Sequence, residues 1–255
     1  MLGVLGGMGP AAGAYFAYRL ALLTDAHSDQ EHLPVLLIND PQIPDRSDAA
    51  VGRGISPLPA MRRGLQFLEA SGCACAVIPC NTAHYWYADL QMSVKIPLIH
   101  IVSAVVENLH SRGIKGGRVG LLGTPATVNS NLYKSELTKA GYTLVPYTKD
   151  DVLQLCVRPI QAVKQNRLRE AGAALADSVR VLYDRGATAV ILGCTELPIA
   201  LTYLGQQTLE LPVVDSIDSL AVCALNHFGF GVKHPEPRSL TFSEPGKDSR
   251  CNSLN

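Results

Sequence analysis

The feature of this 255-residue chain that most restricts its fold is that it reads nearly the same twice. Leu2-Gly-Val-Leu-Gly6 resembles Val119-Gly-Leu-Leu-Gly123, 117 positions later. Ala76-Val-Ile78 equals Ala189-Val-Ile191 at an offset of 113, and the cysteines that follow, Cys80 and Cys194, are 114 apart. Ile96-Pro-Leu-Ile99 resembles Leu211-Pro-Val-Val214 at an offset of 115. Three matches in one order at nearly one offset are hard to attribute to chance, and the period is far longer than that of a solenoid. The chain is therefore expected to form two homologous halves related by an approximate two-fold axis.

Within each half, short apolar runs alternate with amphipathic stretches. Strands are expected at Leu2–Leu5, Val35–Ile38, Ala74–Ile78, Arg118–Leu122, Ala187–Leu192 and Val213–Val214. Helices are expected at Ala11–Leu23, with Pro10 suited to its first turn, and at Leu58–Ala70, Val102–Ser111, Val128–Ala140, Ile160–Asp184 and Ser216–Phe228. Continuous apolar strands separated by helices call for parallel strands covered on both faces. The expected fold is α/β: two pseudo-symmetric Rossmann-like (flavodoxin-like) halves with parallel sheets and a site in the cleft between them. The expected division is 1–103 plus 210–232, then 104–209, with a polar, poorly packed tail over 233–255.

Charge removes several classes of partner. Lys plus Arg is 22 and Asp plus Glu is 22, so the chain lacks the basic excess that nucleic acid or an anionic membrane surface calls for. The longest apolar stretch, Ile96 to Val106, is interrupted by His100 and Ser103 and is too short and polar to span a bilayer. The N-terminus, MLGVLGGMGP, lacks the basic region of a signal peptide. A cytoplasmic protein is expected, with its seven cysteines as free thiols.

The repeat puts equivalent residues at equivalent strand ends, where open α/β sheets bind ligands. Cys80 lies in Pro79-Cys-Asn-Thr-Ala-His84 and Cys194 in Gly193-Cys-Thr-Glu-Leu-Pro198, each where a strand gives way to a helix. Helix N-termini favour anions and are expected to lower a thiol pKa. Two thiols facing each other across a two-fold axis suit stereoinversion. One thiolate removes a proton from a carbon, and the opposite thiol returns one to the other face. A disulfide-exchange pair would need the sulfurs in contact. A lone cysteine is most often a small core residue, but the symmetric placement beside Asn81-Thr82 and Thr195-Glu196 argues against that for this pair.

Gly6-Gly-Met-Gly-Pro10, Pro79–His84 and Gly193–Pro198 resemble the aspartate/glutamate racemase superfamily, and Ile43-Pro-Asp-Arg-Ser47 resembles its aspartate racemase branch. The resemblance covers roughly residues 1 to 230. It implies a cofactor-independent racemase of aspartate, and of glutamate as a further candidate, with Cys80 and Cys194 as the acid/base pair. Cys194 would act on the L-isomer and Cys80 on the D-isomer. Asn81, Thr82 and Thr195 would hold the α-carboxylate and amino group, joined by Thr124 from the turn after the equivalent strand. A second carboxylate needs a cation. Arg46 is the first candidate and Lys164 the other, both matching basic positions of that branch, with Arg53 a weaker substitute. Gly7 and Met8 stand where glutamate racemases of cell-wall synthesis carry Asp-Ser, which weighs against that branch; Met8 is counted with the substrate-binding residues. Those enzymes also follow the second cysteine with Thr-His, where this chain has Thr195-Glu196. The implied partner is a small acidic amino acid, with neither nucleic acid, membrane, metal nor cofactor, and the implied assembly is a homodimer.

Other readings stand beside this one. Gly7-Met-Gly9-Pro-Ala-Ala12 matches a dinucleotide fingerprint, but the next strand ends at Asp40, too far on, and a tight turn against a small ligand is preferred. Cys73, Cys75, Cys80 and His84 form an incomplete metal set. A cysteine hydrolase with His84 as base leaves Cys194 unexplained. His100 and Asp215 occupy equivalent positions of the repeat, with structural and functional roles equally open. A decarboxylase or isomerase on the same scaffold, or a non-catalytic amino-acid-binding protein, completes the alternatives.

Overall fold

Alternation along each strand builds the molecule in layers. A computed structural model describes residues 1–204, 209–233 and 239–241. The first half contains β1 (Leu2–Gly6), α1 (Pro10–Leu23), β2 (Val35–Asn39), α2 (Arg46–Ala50), α3 (Leu58–Ala70), β3 (Cys75–Val77), α4 (Tyr87–Gln91) and α5 (Ile101–Ser111). The second contains β4 (Gly117–Gly123), α6 (Pro125–Asn129), α7 (Asn131–Lys139), β5 (Tyr142–Leu144), α8 (Lys149–Asp151), α9 (Arg158–Lys164), α10 (Leu168–Asp184), β6 (Ala189–Gly193) and α11 (Leu197–Leu201). Then come β7 (Leu209–Asp215), α12 (Ser216–His227) and β8 (Ser239–Thr241). Leu2, Val4, Cys75 and Val77 face a central core, while Leu5, Ala76 and Ile78 face Met61, Leu65 and Leu68 of α3. In the second half, Ala189 and Ile191 face the central core, and Val190 and Leu192 face Leu175, Val179 and Leu182 of α10. Each sheet is thus apolar on both faces, as parallel sheets require.

The repeat seen in the sequence is a repeat of topology. Strand order is β2-β1-β3 in one sheet and β5-β4-β6-β7-β8 in the other. Leu98 makes an isolated parallel bridge to Ala76, in the place β7 takes beside β6. Pairings from β1 to β7 are parallel, and β8 alone runs antiparallel, on β7.

Three expectations need correction. The segment 210–232 is shared between the halves: β7 hydrogen-bonds to β6 in the second sheet, while α12 lies on α1 of the first half. In mirror fashion α5 packs on α7 of the second half, and α5 and α12 pack on each other. The expected helix Ile160–Asp184 is two helices, because the chain turns at Gln165–Arg167 with Asn166 at φ 57°. A wider helical turn over Val152–Val157 precedes them. In the tail, β8 adds a strand to the sheet; residues 234–238 and 242–255, with Cys251, lie outside the described residues. Among the described residues no helix is long and apolar enough to cross a membrane.

The exchanged helix α12 is held by a buried fork. Arg19 Nε donates to Asp218 Oδ1 at 2.6 Å, and Arg19 Nη2 to Asp218 Oδ2 at 2.8 Å. Asp218→Ala leaves the guanidinium buried without its counter-ion. It should lower stability by about 3 kcal/mol, read as a shift of the urea midpoint at unchanged m-value.

Candidate active site

Both sheets turn their carboxyl ends to one cleft of about 330 Å³, its mouth included. After β1 the chain turns sharply at Gly7, with φ +95°, where an added Cβ would stand 2.1 Å from the Asp40 carbonyl oxygen. Glycine is required there for a tight turn, as preferred from the sequence, and the turn delivers Met8 to the cleft wall. After β2, Arg46 opens α2, whose N-cap Asp45 accepts from the Asp48 N–H. After β3 come Cys80, Asn81 and Thr82; after β4, Thr124, the N-cap of α6; after β6, Cys194 and Thr195. Lys164 arrives from the connection after β5. It is the last residue of α9 rather than near the start of a long helix, since the turn at Asn166 ends the helix there. All nine residues singled out from the sequence (Met8, Arg46, Cys80, Asn81, Thr82, Thr124, Lys164, Cys194 and Thr195) line this one cleft. Arg53 does not; it is exposed and pairs with Asp48.

Polar contacts hold the wall in place. The hydroxyls of Thr82, Thr124 and Thr127 form a triangle at 3.0–3.1 Å that joins the two halves. Arg46 Nη1 donates to the carbonyls of Ile43 and Pro44, both at 2.9 Å, so its own loop anchors the guanidinium. Its Nε is buried without a partner among the described residues. A carboxylate in the cleft would meet that need through the Nε edge of the fork.

The thiols are less acidic than their place in the chain suggests. Burial pushes Cys80 up, with Arg46 pulling against it. Cys194 stands well above the ordinary thiol range through burial and then Glu196, whose Oε2 lies 2.9 Å from the Cys194 sulfur. The helical turns beyond the two cysteines span only five residues each, so their dipoles are small beside the desolvation of a thiolate.

Glu196 was missed as a site residue, although the motif Gly193-Cys-Thr-Glu contained it. It is buried, and its Oε1 is 3.4 Å from where a Gly9 Cβ would stand, across the cleft on the first half. Asp45, Ser47 and Gly193 also line the cleft. The signal available for Glu196 was an acid two positions after the second thiol. Because a carboxylate disfavours a neighbouring thiolate, Glu196→Gln should lower the Cys194 pKa. Alkylation of Cys194 by iodoacetamide, followed by mass spectrometry across pH, should then begin at lower pH, with Cys80 shifting less. An unchanged Cys194 profile would remove Glu196 from the electrostatics of the thiol.

His84 does not serve Cys80 as a base. Its Nδ1 donates to the Cys80 carbonyl at 2.9 Å, and its ring packs with Tyr87 and His100 outside the cleft. Burial, then His100, pushes its pKa down to about 3. His100 and Asp215 are equivalent helix N-caps, accepting from backbone N–H groups of α5 and α12. Among the described residues no three His, Cys, Asp or Glu side chains stand together as a metal set.

Comparison with known proteins places this arrangement. The broad specificity amino-acid racemase RacX of Bacillus subtilis (strain 168) is 28% identical over 225 residues, 87% of this chain and 95% of that protein. The structure of Picrophilus torridus aspartate racemase superposes with a TM-score of 0.79 at 31% identity, covering 91% of this chain and 95% of that one. A glutamate racemase from Bacillus anthracis shares the fold, with a TM-score of 0.66 at 20% identity over 90% of this chain and 82% of that one. The sequence model for Asp/Glu/Hydantoin racemase matches residues 5–224, and the chain belongs to that family.

Proposed function

We propose that the protein is a cofactor-independent racemase that interconverts L- and D-aspartate, with glutamate as a second substrate, by a two-base mechanism at Cys80 and Cys194. One observation carries this reading. The two cysteines that the repeat makes equivalent line the same cleft, one from each half. A cation accompanies each: Arg46 from the connection after β2 and Lys164 from the connection after β5. Asp45 and Glu196 line the cleft too, so the case for a dicarboxylate rests on the buried Arg46 Nε, which has no partner among the described residues. This supports aspartate over the broad range named for RacX.

In the proposed reaction one cysteine, as thiolate, takes the α-proton, and the electron pair delocalises into the α-carboxylate. The opposite cysteine, as thiol, gives its proton to the other face. The Thr195 hydroxyl and the second Asn81 Nδ2 hydrogen supply donors for the developing charge, with Thr82 and Thr124 lining the wall beside them. The burial that raises the thiol pKa values also makes each thiolate a stronger base, which narrows its mismatch with a weakly acidic C–H.

The test is L-aspartate with purified protein in D₂O, with reductant and EDTA and without added cofactor. The α-proton NMR signal should disappear while chiral chromatography shows D-aspartate accumulating. Exchange with neutral amino acids but not with aspartate or glutamate would overturn the acidic specificity. No exchange with any amino acid would overturn the racemase reading.

A further inference from the structure

Two buried hydroxyls hold the side chain of Asn81, and the internal repeat contains a control for their purpose. Tyr133, on α7, is fully buried, and its hydroxyl donates to Asn81 Oδ1 at 2.6 Å. Asn81 Nδ2 donates to Oγ of Ser216, the first residue of α12, at 2.9 Å. The Tyr133 ring also lies against the other cysteine motif, since a Cβ added at Gly193 would stand 3.4 Å from Tyr133 Cε2. One side chain therefore bonds to the residue after Cys80 and lies beside the residue before Cys194.

Packing alone needs neither hydroxyl. Tyr133 lies 117 positions after Phe16, the offset that separates β1 from β4, and Phe16 is equally buried in the same core. Ser216 lies 115 positions after Ile101, the offset that separates Ile96–Ile99 from Leu211–Val214, and Ile101 is likewise fully buried. The counterpart of Asn81, 114 positions on, is Thr195, which has no amide. At both positions the hydroxyl is on the copy that faces Asn81, and hydrocarbon stands in the other. A buried hydroxyl is costly to desolvate unless it is bonded; here both are bonded to the same amide.

We propose that Tyr133 and Ser216 are positioning residues that hold the Asn81 amide in one place and plane, with its second Nδ2 hydrogen offered to the α-carboxylate of an amino acid in the cleft. The proposal rests on the racemase reading above. Among the described residues the two bonds named are the hydrogen bonds of that amide, which leaves one Nδ2 hydrogen for a ligand. The wall beside Cys80 then carries an oriented amide where the wall beside Cys194 carries a hydroxyl.

Tyr133→Phe copies what the repeat already places at Phe16, so the fold should survive. For aspartate, kcat/KM should fall about tenfold, mainly through a raised KM, because a carboxylate grip acts in ground and transition states alike. In an Asn81→Ala background the same substitution should change nothing further. Wild-type kinetics for Tyr133→Phe, or an equal loss with and without Asn81, would overturn the proposal. A second measurement does not depend on turnover. The Asn81 side-chain amide, assigned in ¹⁵N spectra by its loss in Asn81→Ala, should exchange with water at least about tenfold faster in Tyr133→Phe; an unchanged rate would overturn the proposal. A protein inactive on every amino acid would overturn the racemase reading, and this exchange rate would still decide whether Tyr133 holds the amide.

Discussion

Cys80→Ala and Cys194→Ala should each lower racemisation by about 10⁴-fold, the upper range for removing a positioned acid or base. The loss should not be symmetric in detail. A single remaining thiol reaches one face of the α-carbon, so each variant should still exchange the α-proton of one enantiomer with solvent while failing to invert it. By the family resemblance, Cys80→Ala keeps exchange of L-aspartate and Cys194→Ala keeps exchange of D-aspartate. Proton NMR in D₂O separates exchange from inversion, and chiral chromatography counts the inversion. Each thiol is buried, and its loss removes one sulfur atom from a wall made mostly of backbone and polar groups. Circular dichroism and thermal unfolding should therefore stay close to those of the parent protein. Undiminished racemisation in either variant would end the two-base reading.

Arg46→Ala should reduce kcat/KM for aspartate about a hundredfold and that for alanine by less, the shared part of the loss acting through the Cys80 thiol, whose pKa Arg46 holds down. The size follows from removing one partner of a desolvated charge pair, roughly 3 kcal/mol. Selectivity follows from geometry: Nη1 is committed to the carbonyls of Ile43 and Pro44, and the buried Nε has no partner among the described residues and is open to a ligand carboxylate. Arg46→Lys should not restore activity, because an ammonium lacks the fork. Equal losses for alanine and aspartate would assign Arg46 to the loop and the Cys80 thiol rather than to the substrate side chain.

The site was legible because the repeat aligned strand ends, and strand ends are where ligands bind in this class of sheet. Cys80 and Cys194 follow from that placement, whereas Asn81, Thr82, Thr124 and Thr195 come from the family resemblance; all six line the cleft. The misreadings have separate causes. Apolar spacing runs from Ile160 through Leu182 without a proline or glycine at the break, so the sequence hides the left-handed turn at Asn166 and puts Lys164 near the start of a long helix rather than at the end of a short one. Depth is not written in order along the chain. The neighbourhood of each thiol therefore suggested a lowered pKa, whereas burial and Glu196 raise it. Segment 210–232 reads as one piece because it is contiguous, yet its strand and helix serve different halves.

That division has a consequence for how the molecule can be cut. Each half builds its own sheet but lends its closing helix to the other, α5 to the second and α12 to the first. A fragment ending between the repeats would carry α5 with its apolar face uncovered and would lack the helix that covers α1. Two copies of such a fragment could satisfy both needs at once by trading helices. The full chain is thus laid out as a domain-swapped dimer in which a single polypeptide supplies both subunits.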